Sequence, residues 1–96
     1  MIGKHVLVRT ESAGVHVGTL AWREGQEVIL HNARRIWSWE GAFTLSAVSQ
    51  YGLNPKASRM TVTVPEILLL EAIEVIPTSA AARATYDASE ERRERA

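Results

Sequence analysis

The chain contains no cysteine, which excludes disulfide bonds, zinc–thiolate sites and thiol nucleophiles. It has no apolar run long enough for a membrane span, and Met1 to Lys4 lead directly into a strand pattern without a signal peptide. The lack of cysteine is consistent with a reducing compartment. We therefore expect a cytoplasmic protein without a membrane partner.

The chain also lacks net charge, because 11 basic and 11 acidic residues give a formal charge of +0 at pH 7. Proteins that bind long nucleic acids neutralise many phosphates with an excess of Lys and Arg. The balance therefore disfavours a long nucleic acid as partner. A short ligand with a few phosphates remains compatible with it.

Recognisable catalytic motifs are missing as well: we find no nucleophile and base arrangement, phosphate-binding glycine loop or dinucleotide fingerprint. His5, His16 and His31 fall on three predicted strands without the spacing of metal ligands. Glu71 and Glu74 are an odd number of positions apart, so in a strand they point to opposite faces and do not form a hydrolase pair. We expect a protein that is not an enzyme and uses no metal or cofactor.

The length of 96 residues suits one domain. A domain of this size buries only roughly two thirds of the surface that its unfolded chain exposes, so it is marginally stable alone. We therefore expect the chain to form a homo-oligomer.

Alternating apolar residues predict a mainly β fold with short turns. Gly18 inside the second predicted strand indicates a bend or bulge. The block 66–76 fits a helix or a strand, and its β-branched residues favour a strand. The predicted strands are 4–10, 15–22, 27–31, the segment 33–39 and 60–64.

Two helices are predicted within this β pattern. One covers about 44–51 and ends at Gly52, and the other follows a cap at Thr78 or Ser79 and continues towards residue 96 as a helix or frayed tail. We interpret residues 1–77 as a single β-rich domain with an inserted helix, followed by a C-terminal helix or tail over 78–96. The expected fold is mainly β (α+β), a small, strongly bent antiparallel barrel.

Three apolar segments resemble the SH3-like barrels of the Sm family: residues 15–20 (VHVGTL), 27–30 (EVIL) and 73–76 (IEVI). The chain departs from that pattern because the leading helix is missing, an insertion spans about residues 40–60 and no RNA-reading motif is recognisable. The resemblance implies a small barrel and, as one possible function, a ring that binds single-stranded RNA.

A second resemblance covers nearly the whole chain. The pattern VRTxSAGVHxG over 8–18, ARRIWxWxGAxxLS over 33–46, VPEI over 64–67 and EAIE over 71–74 resembles small phage and prophage proteins with a domain of unknown function. This resemblance implies a phage or prophage origin and a bacterial host cell. Small phage proteins of this kind include oligomeric binders that sequester nucleotide signals of bacterial immune systems.

The segment 33–39 (ARRIWSW) carries the most suggestive side chains. Alternation in a strand sends Arg35, Trp37 and Trp39 to one face and Arg34 to the other. A guanidinium binds phosphate and an indole stacks on a base, so this face suits a nucleotide. Arg34 then suits an interface or a second phosphate contact. Alternatively, the indoles pack in a barrel end or subunit interface, and the arginines are solvated or pair with Glu40.

The loop after the first predicted strand supplies further polar groups: Arg9, Thr10, Ser12, Gly14 and His16. Its backbone N–H groups and Arg9 are suited to a phosphate, with Arg9 and Arg35 as a clamp. The alternative interpretation is an ordinary hairpin turn in which Ser12 bonds its own backbone.

Together these patterns predict a non-catalytic, phage-derived protein that sequesters a small phosphorylated nucleotide, a cyclic immune signal, and so counters bacterial anti-phage defence. Two other hypotheses remain open: an Sm-like ring for single-stranded RNA, and an inhibitor that binds a host protein. The predicted ligand-binding residues are Arg9, Thr10, Ser12, Gly14, His16, Arg34, Arg35, Trp37 and Trp39.

Overall fold

A computed structural model describes residues 1–42 and 44–90 as one antiparallel sheet with two helices. The strands pair in the order β4-β3-β2-β1-β6, and β5 also pairs with β3. No pairing joins β5 to β6 in the described ranges, so the sheet bends like a small barrel without closing. The mainly β prediction is confirmed. The elements are β1 (His5–Thr10), β2 (Val15–Glu24), β3 (Glu27–Ser38), α1 (Leu45–Tyr51), β4 (Arg59–Met60), β5 (Val64–Leu69), β6 (Ala72–Pro77) and α2 (Ala80–Ala88).

The sheet bends where β2 and β3 lose regular pairing. The register shifts between Val17 and Thr19, and Asn32 on the facing strand has a positive φ of 51°. A Cβ on Gly18 would lie 3.0 Å from the carbonyl oxygen of His31. The irregularity predicted at Gly18 is confirmed. Asn tolerates positive φ, so β3 continues through Asn32 as one strand where the sequence predicted two.

Alternating residues of the sheet fill two separate cores. Leu7, Val17 and Ile36 point to the side that carries the helices. Val8 and Leu30 point to the other side, where Leu69 of β5 and Val75 of β6 pack against the same cluster. The two faces of the sheet can therefore be distinguished by the core to which their side chains belong.

The two helices begin and end at polar or glycine residues. Thr44 caps α1 by accepting a hydrogen bond from the Ala47 amide at 3.1 Å, and Gly52 ends it with a φ of +84°. Of the two predicted caps for α2, Ser79 is used, and it accepts from the Ala82 amide at 3.0 Å. The buried Tyr86 hydroxyl donates to the Val48 carbonyl and joins the helices. No helix in the described ranges is long and apolar enough to cross a membrane.

The second half of the chain differs from the predicted elements in three places. The predicted strand 60–64 is wrong, because β4 ends at Met60 and β5 begins at Val64. Pro65 lies inside β5, which is tolerated because β5 pairs only with β3 in the described part of the chain. Residues 66–76 do not form one continuous strand, because the chain turns at 70–71 between β5 and β6. The helix predicted towards residue 96 ends at Ala88, and 91–96 lie outside the described residues.

Candidate functional site

The loop between β1 and β2 is a tight turn held mainly by Thr10. The Thr10 hydroxyl accepts from the Ala13 amide at 2.9 Å and donates to the Gly14 carbonyl at 2.7 Å. Gly14 has a φ of +86°, which favours glycine. The turn is therefore bonded to itself, as the alternative interpretation predicted, but through Thr10 and not Ser12.

Ser12 instead joins the loop to the turn between β5 and β6. Its hydroxyl donates to Glu71 Oε2 at 3.1 Å, and the Glu11 amide donates to the Glu71 carbonyl at 3.1 Å. A carboxylate at this position repels a phosphate. The contacts of Ser12 therefore favour a structural role.

His16 lies beneath the same loop, where it is 5 % exposed, with Nε2 2.9 Å from the Ala13 carbonyl oxygen. Burial lowers the pKa of His16; the hydrogen bond to Ala13 opposes this effect, and the charge of Arg35 adds to it. A neutral His16 ring thus supports the loop from inside.

Arg9 and Arg35 lie on opposite faces of the sheet. Arg9 pairs with Val15, and Val15 pairs with Ile36, so these three share the face that carries the helices. Arg35 precedes Ile36 and points to the other face. Arg9 also forms an exposed ion pair with Glu74 at 3.0 Å. The phosphate clamp predicted from Arg9 and Arg35 is therefore wrong within one chain.

Arg34 has a structural role in place of the predicted interface or phosphate contact. It is 9 % exposed, and its guanidinium donates to three backbone carbonyls: Thr61 at 3.0 Å, Tyr86 at 2.5 Å and Ser89 at 2.8 Å. Two of these acceptors lie at the C-terminal end of α2. Arg34 therefore attaches α2 to β3, which is favourable because a cation near a helix C-terminus interacts well with the helix dipole.

Arg35 is exposed and lies over the loop glycine. It pairs with His16 across β2 and β3, and a Cβ on Gly14 would lie 2.9 Å from Arg35 Nε. The lack of a side chain at Gly14 thus leaves room for the guanidinium. Gly14, His16 and Arg35 are brought together as the sequence suggested, with only Arg35 presenting its side chain to solvent.

Trp37 stands two residues further along β3 and is 52 % exposed. The guanidinium carbon of Arg59 lies 5.9 Å from the centroid of its ring, within cation–π range. Among the described residues, neither Arg35 nor Arg59 forms a salt bridge. We refer to these three residues as the Arg35–Trp37–Arg59 cluster.

Sequence reasoning missed Arg59. It reaches Trp37 because β4 pairs with β3, with Ser38 opposite Arg59. The only local signal was a basic residue at the start of an apolar segment, which does not reveal a partner 22 positions earlier in the chain.

Trp39 does not share the exposed face with Trp37. The strand ends at Ser38, and Trp39 is partly buried against the core on the helix side. The chain has already turned at this point, since the Glu40 amide donates to Ser58 Oγ at 3.1 Å. The face therefore carries one accessible indole and not two.

No group of three or more His, Cys, Asp or Glu side chains within residues 1–42 and 44–90 could hold a metal ion. The comparison with curated proteins and the comparison with solved structures each gave no match. A family model for a domain of unknown function, DUF6948, matches residues 3–86. Because this match spans most of the chain, the protein belongs to the DUF6948 family.

Proposed function

We propose that the chain is a non-catalytic binding protein for a small phosphorylated nucleotide, recognised by the Arg35–Trp37–Arg59 cluster. The observation that carries the proposal is the exposed Trp37 indole with a guanidinium 5.9 Å from its ring centroid. A base stacks on such an indole, and guanidinium groups bind phosphate through paired N–H donors. The absence of a salt bridge to Arg35 or Arg59 among the described residues leaves both charges available to a phosphate.

The ligand class that fits the resemblance to phage proteins is a cyclic nucleotide signal of bacterial immunity. In this role the protein is made by a phage or prophage, acts in the cytoplasm of the bacterial host and counters defence by sequestration. Tight capture requires a ligand enclosed on more than one side. The cluster is an open surface of one chain, so a second copy supplies the opposite wall in a homo-oligomer.

The proposal is tested by calorimetric titration of the wild type with cyclic di- and trinucleotides and cyclic ADP-ribose isomers. Binding of one of these ligands is expected, and Arg35→Gln and Arg59→Gln should each weaken it roughly tenfold or more because a charged phosphate contact is lost. Arg83→Gln is the matched control, because Arg83 is an exposed arginine of α2 outside the cluster. Absence of heat with every ligand at micromolar protein would contradict the proposal.

A second candidate function, an inhibitor that binds a host protein, is favoured by a different surface. Trp22, Ile29 and Leu68 are neighbours across β2, β3 and β5, and Trp22 and Leu68 are 37 % and 50 % exposed. A row of apolar side chains on a sheet face is typical of protein contacts. A host protein captured by wild type and Trp37→Ala but lost with a Trp22→Ser, Leu68→Ser double variant would support this candidate.

A further inference from the structure

A groove of about 670 Å³ opens far from the Arg35–Trp37–Arg59 cluster. Its lining includes Arg23, Gly25 and Gln26 at the β2–β3 turn, whereas Arg35 of the cluster pairs with His16 near the start of β2. Its volume falls within the range of small-molecule sites. Nothing in the proposed nucleotide function uses it.

The walls of the groove are held by backbone hydrogen bonds. The segment before β1 is fixed to β2, because the Gly3 amide donates to the Leu20 carbonyl at 2.7 Å and the Leu20 amide donates to the Lys4 carbonyl at 2.9 Å. On the other side, the Ala72 amide at the start of β6 donates to the Gln26 carbonyl at 2.9 Å. The groove is therefore a preformed part of the fold.

The lining presents polar and apolar surface in similar amounts, and it lies over the interior. Leu20 and Val28 in the lining belong to the core shared with β5 and β6. Three large apolar side chains of the lining remain exposed: Met1 at 57 %, Ile2 at 63 % and Ile73 at 48 %. The apolar part of a ligand would remove these side chains from water, which favours binding.

The charge of the groove indicates which polar group the ligand would carry. Arg23 is the only charged side chain among the described lining residues, and it forms no salt bridge with the described residues. Its guanidinium therefore complements an anion, for which a carboxylate provides matched acceptors.

We propose that this groove binds an amphipathic carboxylate, with its apolar chain against the exposed side chains of Ile2 and Ile73 and its carboxylate on Arg23. The site is independent of the proposed nucleotide function. A ligand of the size of decanoate suits a groove of this volume.

The experiment is a titration with decanoate below its micelle concentration, followed by calorimetry and by backbone amide shifts. Shifts should concentrate at Leu20, Val28 and Ile73, and acetate, which has no apolar chain, should not bind. Arg23→Gln should weaken decanoate about tenfold and leave the weaker binding of decanol unchanged, because decanol carries no charge. Arg23 is exposed, so the variant is expected to fold, which circular dichroism checks.

The controls separate this site from the nucleotide site. Arg83→Gln and Trp37→Ala should bind decanoate like the wild type. Equal affinity of Arg23→Gln and wild type, shifts outside the groove, no binding, or a dimer that fills the groove and excludes decanoate would each overturn the proposal.

Discussion

Arg34 and Arg35 are adjacent in the chain but have opposite surroundings, because strand alternation sends one to each face of the sheet. Arg34 is buried under α2 and donates to three carbonyls, whereas Arg35 is exposed beside Gly14. The sequence could place them on different faces but could not show which face α2 would cover. That choice depends on contacts 52 to 55 positions away in the chain.

Arg34→Met is expected to lower the free energy of unfolding by about 2 kcal/mol or more, since it leaves buried carbonyls without their charged donor. Arg35→Met is the matched variant and should change the free energy of unfolding by less than about 0.5 kcal/mol, because its side chain is exposed. Urea denaturation measures both. Equal effects of the two substitutions would contradict the separate roles assigned to them.

Among the elements, the β1–β2 loop does most to position the candidate site. The bonds of Thr10 shape the turn, His16 supports it from below, and Gly14 leaves space for the Arg35 side chain. The sequence indicated a glycine turn here and grouped Gly14 with Arg35. The sequence alone could not predict that Arg35 is exposed while His16 is buried, because the exposure of each side chain depends on how β2 pairs with β3.

Gly14→Ala should lower stability and also weaken nucleotide binding. A φ of +86° strains an alanine by about 1–3 kcal/mol, and the added Cβ would displace the Arg35 guanidinium. Gly25→Ala is the control, since Gly25 has a φ of +58° but no atom within 4 Å of an added Cβ. Denaturation and calorimetry should show that both variants are less stable and that only Gly14→Ala binds nucleotide more weakly. Unchanged nucleotide affinity of Gly14→Ala would argue against Arg35 as a ligand contact.

At the scale of the whole molecule, the partly buried His5 and the buried His16 connect stability to pH. Burial is the main cause that lowers the pKa of His5 from 6.5 to about 4; the charge of Arg83 adds to this effect and that of Asp87 opposes it. The imidazole stacks on Tyr86 at 6.0 Å and lies 2.6 Å from Thr78 Oγ1. His5 therefore joins the first strand to the last helix in its neutral form.

The unfolded chain binds a proton at His5 more readily than the folded chain does, so stability is complete above about pH 6.5 and falls as the pH approaches about 4. Burial lowers the pKa of His16 as well, which acts in the same direction. The urea midpoint of the wild type should be lower at about pH 5 than at about pH 7.5, and the midpoint of His5→Gln should fall by less over this range. An equal decrease in the variant would show that His5 does not contribute.

Local patterns predicted much of the fold: the mainly β class and the helix that ends at Gly52 follow from periodicity and turn residues, whereas the exposure of Trp37 was left open. The positions of Trp39 and Arg59 could not be predicted from these patterns, and both failures have the same physical reason. Trp39 leaves the alternating face because β3 ends one residue earlier, and Arg59 reaches Trp37 only through strand pairing. Strand ends and strand partners depend on the packing of the whole molecule.

The most direct measurement compares Trp37→Ala with Trp22→Ala in a titration with the nucleotide that the wild type binds. Both indoles are exposed on the sheet, but only Trp37 has a guanidinium over its ring among the described residues. Trp37→Ala should weaken binding by about fivefold or more, because a stacked base contributes roughly 1–3 kcal/mol, and Trp22→Ala should bind like the wild type. Equal affinities of the two variants, or no nucleotide bound by the wild type, would contradict the proposed recognition surface.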